Sequence, residues 1–302
     1  NRISGSAGLA IILNSSAVLF VDGRYKIQAG YQVDQKLLEI QQIPDAKPEA
    51  WIEAYAKRKS KIGYDPRLHT LKNIQNLTAK LDSEHVDLVP VKRNLIDVIW
   101  NDRPSEPSGT ARLHPFKYSG QRTADKLAGI KRTLRNSDVD ALLLTQPDSI
   151  AWLFNIRGKD IRHTPVVLCH AIIHSKKKPE LFINPVKTPS SLTVTLKKYS
   201  HLRLPKELAA RLKQLGQAHN NVQIDPDKTP AFYTKILVKS GGRLIEAVDP
   251  CTLPKSIKNS AEITGVRHAN IRDGVAVSRF LCWLEENTQS STIDEIGAAK
   301  KL

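Results

Sequence analysis

The chain of 302 residues contains no methionine, no apolar run long enough to cross a bilayer and only three cysteines. A membrane helix needs roughly 18 or more consecutive apolar residues, so none is expected, and no charged-then-apolar secretory leader opens the sequence. The expected location is therefore cytoplasmic, with no membrane partner. Cys169, Cys251 and Cys282 are odd in number and lack C-x-x-C spacing. That pattern excludes a disulfide framework and a zinc site and leaves buried, inert thiols. The want of methionine, initiator included, suggests that residues have dropped out between apparent neighbours, so spacings hold only to within a residue or so.

Catalytic signatures are also lacking. There is no H-E-x-x-H, no G-x-S-x-G and no phosphate-binding glycine loop, which removes the commonest zinc-peptidase, serine-hydrolase and nucleotide-binding readings. His170 and His174 would align as metal ligands on a helix, but Val166 to Ile173 reads as a strand. The carboxylates are scattered. By its own residues the chain is expected to hold no catalytic group and no metal.

What is present is a globular composition, 40% hydrophobic and 25% charged, in a length that allows about two domains. The net charge of +16 raises a nucleic-acid partner. Yet Lys57-Arg58-Lys59, Lys176-Lys177-Lys178 and Lys197-Lys198 lie at helix ends or in turns, with no interleaved aromatics to stack on bases. No nucleic-acid partner is expected.

Strand and helix patterns alternate, which predicts an α/β fold. Residues 9–13 and 17–21 read as a hairpin across Asn14-Ser15-Ser16. A helix from Tyr25, a strand over 37–43, a helix over 48–56, a strand over 61–64, a helix over 71–81 and a strand over 86–91 follow, with a short helix over 94–100. Asn101 to Gly109 is a linker rich in proline and small polar residues, and a first domain is expected to span 1–117. In the second, over 118–254, Thr123 to Leu134 is an amphipathic helix, Val139 to Thr145 a strand, and 166–173 with 180–183 a hairpin.

This second part repeats the first. Leu19-Phe20-Val21 matches Leu181-Phe182-Ile183, and Ile62-Gly63-Tyr64-Asp65-Pro66 matches Val222-Gln223-Ile224-Asp225-Pro226, both at an offset of about 160 residues. The second copy has a helix, a strand and another helix ahead of its hairpin, so the first is expected to lack its opening strand and helix. After a second linker, Asp249 to Pro254, Asn259 or Ser260 caps a long helix carrying Ile263, Val266, Ile271, Val275 and Leu281. Thr292-Ile293-Asp294-Glu295 fits a capping box for another helix. Residues 255–302 thus read as the opening helices of a further domain.

One apolar segment, Asp148-Ser149-Ile150-Ala151-Trp152-Leu153-Phe154-Asn155-Ile156-Arg157-Gly158, reads physically as a short buried helix with Pro147 at its start and Gly158 as a left-handed stop. Along the chain it is ordered with Gly5-Ser6-Ala7-Gly8, Asp22-Gly23-Arg24-Tyr25, Asn94-Leu95-Ile96-Asp97-Val98-Ile99-Trp100 and Asp102-Arg103-Pro104. Lys258-Asn259-Ser260-Ala261-Glu262, Ile271-Arg272-Asp273 and Trp283-Leu284-Glu285 come after it. The series resembles the cytosolic three-domain Xaa-Pro aminopeptidases (aminopeptidase P) of the creatinase/prolidase superfamily over nearly the whole chain.

The resemblance implies two tandem creatinase N-terminal-type domains, each a mixed sheet flanked by helices, followed by the start of a truncated pita-bread catalytic domain. It implies a metallopeptidase that removes the residue preceding proline, with two manganese ions on two aspartates, a histidine and two glutamates. None of those ligands falls within this sequence, so the chain alone is expected to be inactive. Peptides with proline second are the implied partners, and a homodimer the implied assembly. One residue carries over: Arg24, whose family counterpart reaches toward the bound peptide, is a substrate-binding candidate. Against this stands a purely local role, in which Arg24 pairs with a neighbouring acid. Trp152 and Phe154 are expected to anchor packing between domains. Rival readings are a non-catalytic creatinase-fold interaction module, or a prolidase or creatinase relative.

Overall fold

The computed structural model describes residues 3–81, 86–288 and 293–302 and divides into two compact units. Unit 1 is 1–104 with 226–235, and unit 2 is 105–225 with 236–302. In unit 1 the alternating apolar residues at the start form the expected hairpin, β1 (Gly8–Ile12) and β2 (Ala17–Asp22). The turn closes with the Leu13 amide donating to the Ser16 carbonyl at 2.8 Å. A single 3-10 turn over Gly23–Tyr25 precedes α1 (Lys26–Gln32), and β3 (Glu39–Ile43) then pairs with β2 in parallel.

Helix α2 (Pro48–Tyr55) starts on a proline, where a missing N–H costs nothing. Strand β4 (Lys61–Tyr64), helix α3 (Leu71–Leu81) and strand β5 (Asp87–Pro90) follow. Helix α4 (Leu95–Ile99) is capped by Asn94, whose side chain accepts from the Ile96 amide at 2.9 Å. Strands β4 and β5 form a separate parallel pair. The principal core is small: Ile11, Val18 and Phe20 pack with Trp51, Ile52, Leu81 and Val86.

Unit 2 opens with β6 (Arg112–Leu113), α5 (Phe116–Ser119), α6 (Thr123–Asn136), β7 (Ala141–Leu144), α7 (Pro147–Leu153) and β8 (Ile156–Arg157). It continues through β9 (His170–His174), β10 (Glu180–Phe182), α8 (Ser190–Tyr199), β11 (His201–Arg203), α9 (Leu208–Gln217) and β12 (Asn221–Ile224). Helix α10 (Ala231–Lys239), whose first half clusters with unit 1, leads to β13 (Arg243–Glu246), α11 (Thr252–Ser256), α12 (Ser260–Asn287) and α13 (Glu295–Lys301). The sheet order is β11-β10-β9-β7-β12-β13. All four residues of β7 are buried, as suits a central strand covered on both faces.

The repeat extends through the topology. Strands β1, β2 and β3 pair antiparallel then parallel, as β9, β10 and β11 do, and the parallel pair β4-β5 answers β12-β13. Among the described residues no strand of unit 1 takes the place of β7, and its sheet is accordingly in two pieces. The two Asp-Pro corners meet inside unit 1 with reciprocal bonds. The Leu71 amide donates to the Thr229 carbonyl and the Ala231 amide to the His69 carbonyl, each at 2.9 Å. The Lys72 amide donates to Pro226 at 3.0 Å and the Phe232 amide to Pro66 at 2.8 Å.

Two expectations need correction, and one falls outside the described residues. Residues 105–117 cluster with unit 2 rather than with the first domain. The Gly109 amide donates to the Asp160 carboxylate at 2.9 Å, the Ala111 amide to the Lys187 carbonyl at 2.8 Å, and β6 pairs with β8. The strand expected over 166–173 begins at His170, the first residue to pair with β10. Thr292 of the expected capping box lies outside the described residues; α13 is capped by Asp294, which accepts from the Gly297 amide.

Candidate functional site

Arg24 stands on an exposed corner of unit 1, where β2 runs into the 3-10 turn. Asp22 caps that turn, accepting the Arg24 amide at 3.0 Å and Arg24 Nε at 2.7 Å. The Arg24 hydrogen bond holds the Asp22 carboxyl below its ordinary range. Among the described residues only the Nε edge of the guanidinium is occupied in this way, and the Arg24 side chain remains 69% exposed. Its guanidinium carbon lies 5.3 Å from the Tyr25 ring centroid, and the Tyr25 hydroxyl meets Ser6 Oγ at 2.6 Å. Gly5 approaches the same ring so closely that a Cβ would sit 3.3 Å from it. Two segments separate in sequence, Gly5 to Gly8 and Asp22 to Tyr25, thus build one surface.

The Asp148 segment is structural. Ile150, Leu153 and Phe154 are buried in the core of unit 2, and Trp152 is only 8% exposed. Trp152 and Phe154 are therefore core residues of this unit. Asp148, in the first turn of α7, pairs with Lys255; burial would raise its carboxyl, but the Lys255 hydrogen bond prevails and holds it low. The left-handed stop is Asn155, at φ 51°, and not Gly158. Gly158 is required for a different reason: a Cβ there would meet Val167 Cγ2 at 2.5 Å and the Val166 carbonyl oxygen at 2.8 Å.

Around Asn155 lies a polar cluster that periodicity does not disclose. Lys126, 3% exposed on the apolar side of α6, donates to the Trp152 carbonyl at 3.0 Å and Asn155 Oδ1 at 2.8 Å, with Nζ 4.5 Å from the Trp152 ring centroid. Burial pushes this amine down to about 8. Burial, then the charges of Arg157 and Lys126, push His114 down to about 4. Asn155 Nδ2 donates to the Gln121 carbonyl at 2.8 Å. The only sequence signal for this burial is position, since Lys126 adjoins Leu127 on the apolar face.

Nearby, Asn259 and Glu262 form a reciprocal capping box at the start of α12, and Asn259 Nδ2 donates to the Ser119 carbonyl at 2.9 Å. Helix α12 buries none of its residues: Ile263, Val266, Ile271, Val275 and Leu281 are 40% to 67% exposed. His170 and His174 lie on β9. His174 Nε2 meets Glu180 Oε1 at 2.9 Å, while burial pushes His170 down to about 4. The Cys169 thiol is pushed up to about 12 by burial, and that of Cys251 well above its ordinary value by burial and Asp249. Among the described residues no group of three or more His, Cys, Asp or Glu could hold a metal ion. A dinuclear centre therefore does not fit the residues described, and no helix among them is long and apolar enough to cross a membrane.

A duplicated α/β domain with this strand order is matched by family models for the creatinase/prolidase N-terminal domain, over residues 3–99 and 102–262. The chain belongs to that family. Its relatives include the "Probable Xaa-Pro aminopeptidase P" of Ajellomyces capsulatus (strain H143), 31% identical over 99% of this chain and 49% of that protein. The protein of the same name from Aspergillus fumigatus is 34% identical over 99% of this chain and 47% of its own length. The X-prolyl aminopeptidase of Caenorhabditis elegans, described as a cytosolic enzyme with a di-nuclear active site, superposes with a TM-score of 0.89 at 26% identity. That match covers 99% of this chain and 50% of the worm chain. The chain spans about half the length of the curated relatives it matches.

Proposed function

We propose that this chain is the substrate-positioning part of a metal-dependent Xaa-Pro aminopeptidase, an enzyme that removes the amino-terminal residue preceding proline. The observation that carries the reading is collinear similarity to Xaa-Pro aminopeptidases over 99% of the chain. In this reading the two metal ions, manganese by preference, belong to a part of the enzyme outside the matched half and supply the activated water. The residues described here bind and orient.

Arg24 is the positioning residue. With Nε held by Asp22, the guanidinium is fixed in direction and presents its Nη edge to a peptide carbonyl or carboxylate, for which a planar fork is the matching donor. The same reading makes the enzyme a cytoplasmic homodimer acting on peptides with proline second.

The test is turnover by the full-length protein with manganese, on tripeptides with proline or alanine second and on Xaa-Pro dipeptides. Release of the first residue only from the proline tripeptides, lost on chelation, is the expected result. No turnover leaves a binding module, and turnover confined to dipeptides makes the protein a prolidase relative.

A further inference from the structure

We propose that unit 2 carries a binding cleft for a compact, multiply charged phosphate at the outer edge of its sheet. The proposal is independent of the peptidase reading. Its starting point is charge distribution: between residues 174 and 213 stand ten lysines and arginines against two acids, Glu180 and Glu207. That segment alone supplies half of the chain's net charge of +16.

The fold gathers part of this charge around a cleft of about 360 Å³ lined by Lys178, Lys197, Ser200, His201, Leu202 and Arg203, within the usual size range of small-ligand sites. Lys178 comes from the turn between β9 and β10, Lys197 and Ser200 from the end of α8, and the rest from β11, the outermost strand. The wall is fixed, because the His201 amide donates to the Pro179 carbonyl at 2.8 Å.

Two features that could cancel the positive field are already satisfied. The carboxyl end of a helix carries partial negative charge, but here Lys178 Nζ donates to the Lys197 carbonyl at 2.6 Å. The Ser200 amide and hydroxyl cover the Leu196 carbonyl at 2.9 and 3.1 Å. Glu180, at the start of β10 beside the wall, is 2% exposed and shared among His174, Arg203 and Arg211 at 2.8 to 3.0 Å.

Among the described residues no acid pairs with Lys178 or Lys197, and both side chains are exposed. A dianion or larger anion is the matching ligand, since the lining includes Lys178, Lys197 and Arg203. No phenylalanine, tyrosine or tryptophan lines the cleft, and its cationic side chains match the phosphate itself.

The experiment is calorimetric titration of the metal-free full-length protein with inorganic pyrophosphate at low ionic strength, where screening is weak. Three proteins are compared: the parent, the Lys178→Gln/Lys197→Gln variant, and a control with the same charge loss on α13, Lys300→Gln/Lys301→Gln. Unchanged circular dichroism shows that each is folded. The expected result is saturable binding whose Kd rises about tenfold or more in the cleft variant and stays within about twofold in the control. A second arm adds vesicles containing anionic phospholipid. Vesicle binding competed by pyrophosphate makes a lipid headgroup the source of the phosphate, and no vesicle binding makes it a free phosphate. Absence of saturable pyrophosphate binding, equal weakening in both variants, or vesicle binding that pyrophosphate does not compete overturns the proposal.

Discussion

The two copies of the repeat run their strands in the same order, yet one makes a continuous six-stranded sheet and the other two small pieces. The difference is β7. In unit 2 this strand joins β9 to β12, and Ala171 to His174 in β9 and Val222 to Ile224 in β12 are all buried. In unit 1 the corresponding strands are exposed or half-buried at every position but Ile11, and Ile12 at the end of β1 is 69% exposed. Among the described residues unit 1 shows no counterpart of this apolar strand, and Arg24 stands on an exposed corner of unit 1.

The largest effect that would sharpen this contrast is in β7 itself. Leu142→Ala, at a fully buried position, should cost about 2–5 kcal/mol in urea unfolding, while Ile12→Ala should cost less than about 0.5 kcal/mol. Equal costs would break the comparison. Glu180→Gln comes next, since it strips charge-assisted bonds from His174, Arg203 and Arg211, and a loss of about 1.5–3 kcal/mol is expected. Burial would raise this carboxyl, but hydrogen bonds from His174 and Arg211 hold it at about 2. Its contribution is therefore present above the ordinary value of 4.5 and lost as pH falls toward about 2, a dependence the Gln variant should lack.

Lys126 gives a slope of the same sign in a higher pH window. Its amine titrates at about 8 in the fold against 10.5 ordinarily, so the unfolded chain binds the proton more readily. Stability should rise as pH rises from about 8 through 10.5, and Lys126→Met should flatten that slope. A slope unchanged in the variant would remove Lys126 as its source. The smallest effect on stability is expected at Arg24→Ala, within about 0.5 kcal/mol, because the side chain is 69% exposed.

The contrast was partly legible in the sequence. Helix α3 falls over 71–81 as its apolar spacing predicts, and the hairpin of β1 and β2 and the strand β4 follow from alternation and turn residues. The offset of about 160 residues anticipates the shared topology. What escaped depends on tertiary contact. Asn155 takes the left-handed position expected of Gly158 because its side chain is held from both sides, by Lys126 and the Gln121 carbonyl. Residues 105–117 read as part of the first domain because their partners in unit 2, Asp160 and Lys187, are distant in sequence. Arg24 was legible as a motif, but its juxtaposition with Ser6 through Tyr25 needed the fold.

The central claim is that unit 1 positions substrate while unit 2 supplies stability. It is tested most directly by steady-state kinetics of full-length Arg24→Ala with manganese on Xaa-Pro tripeptides, alongside thermal unfolding of the same variant. The account predicts a KM raised about tenfold, the loss of a charge-assisted contact, with an unfolding midpoint unchanged. An unchanged KM on several peptides would contradict it and leave Arg24 as no more than the partner of Asp22.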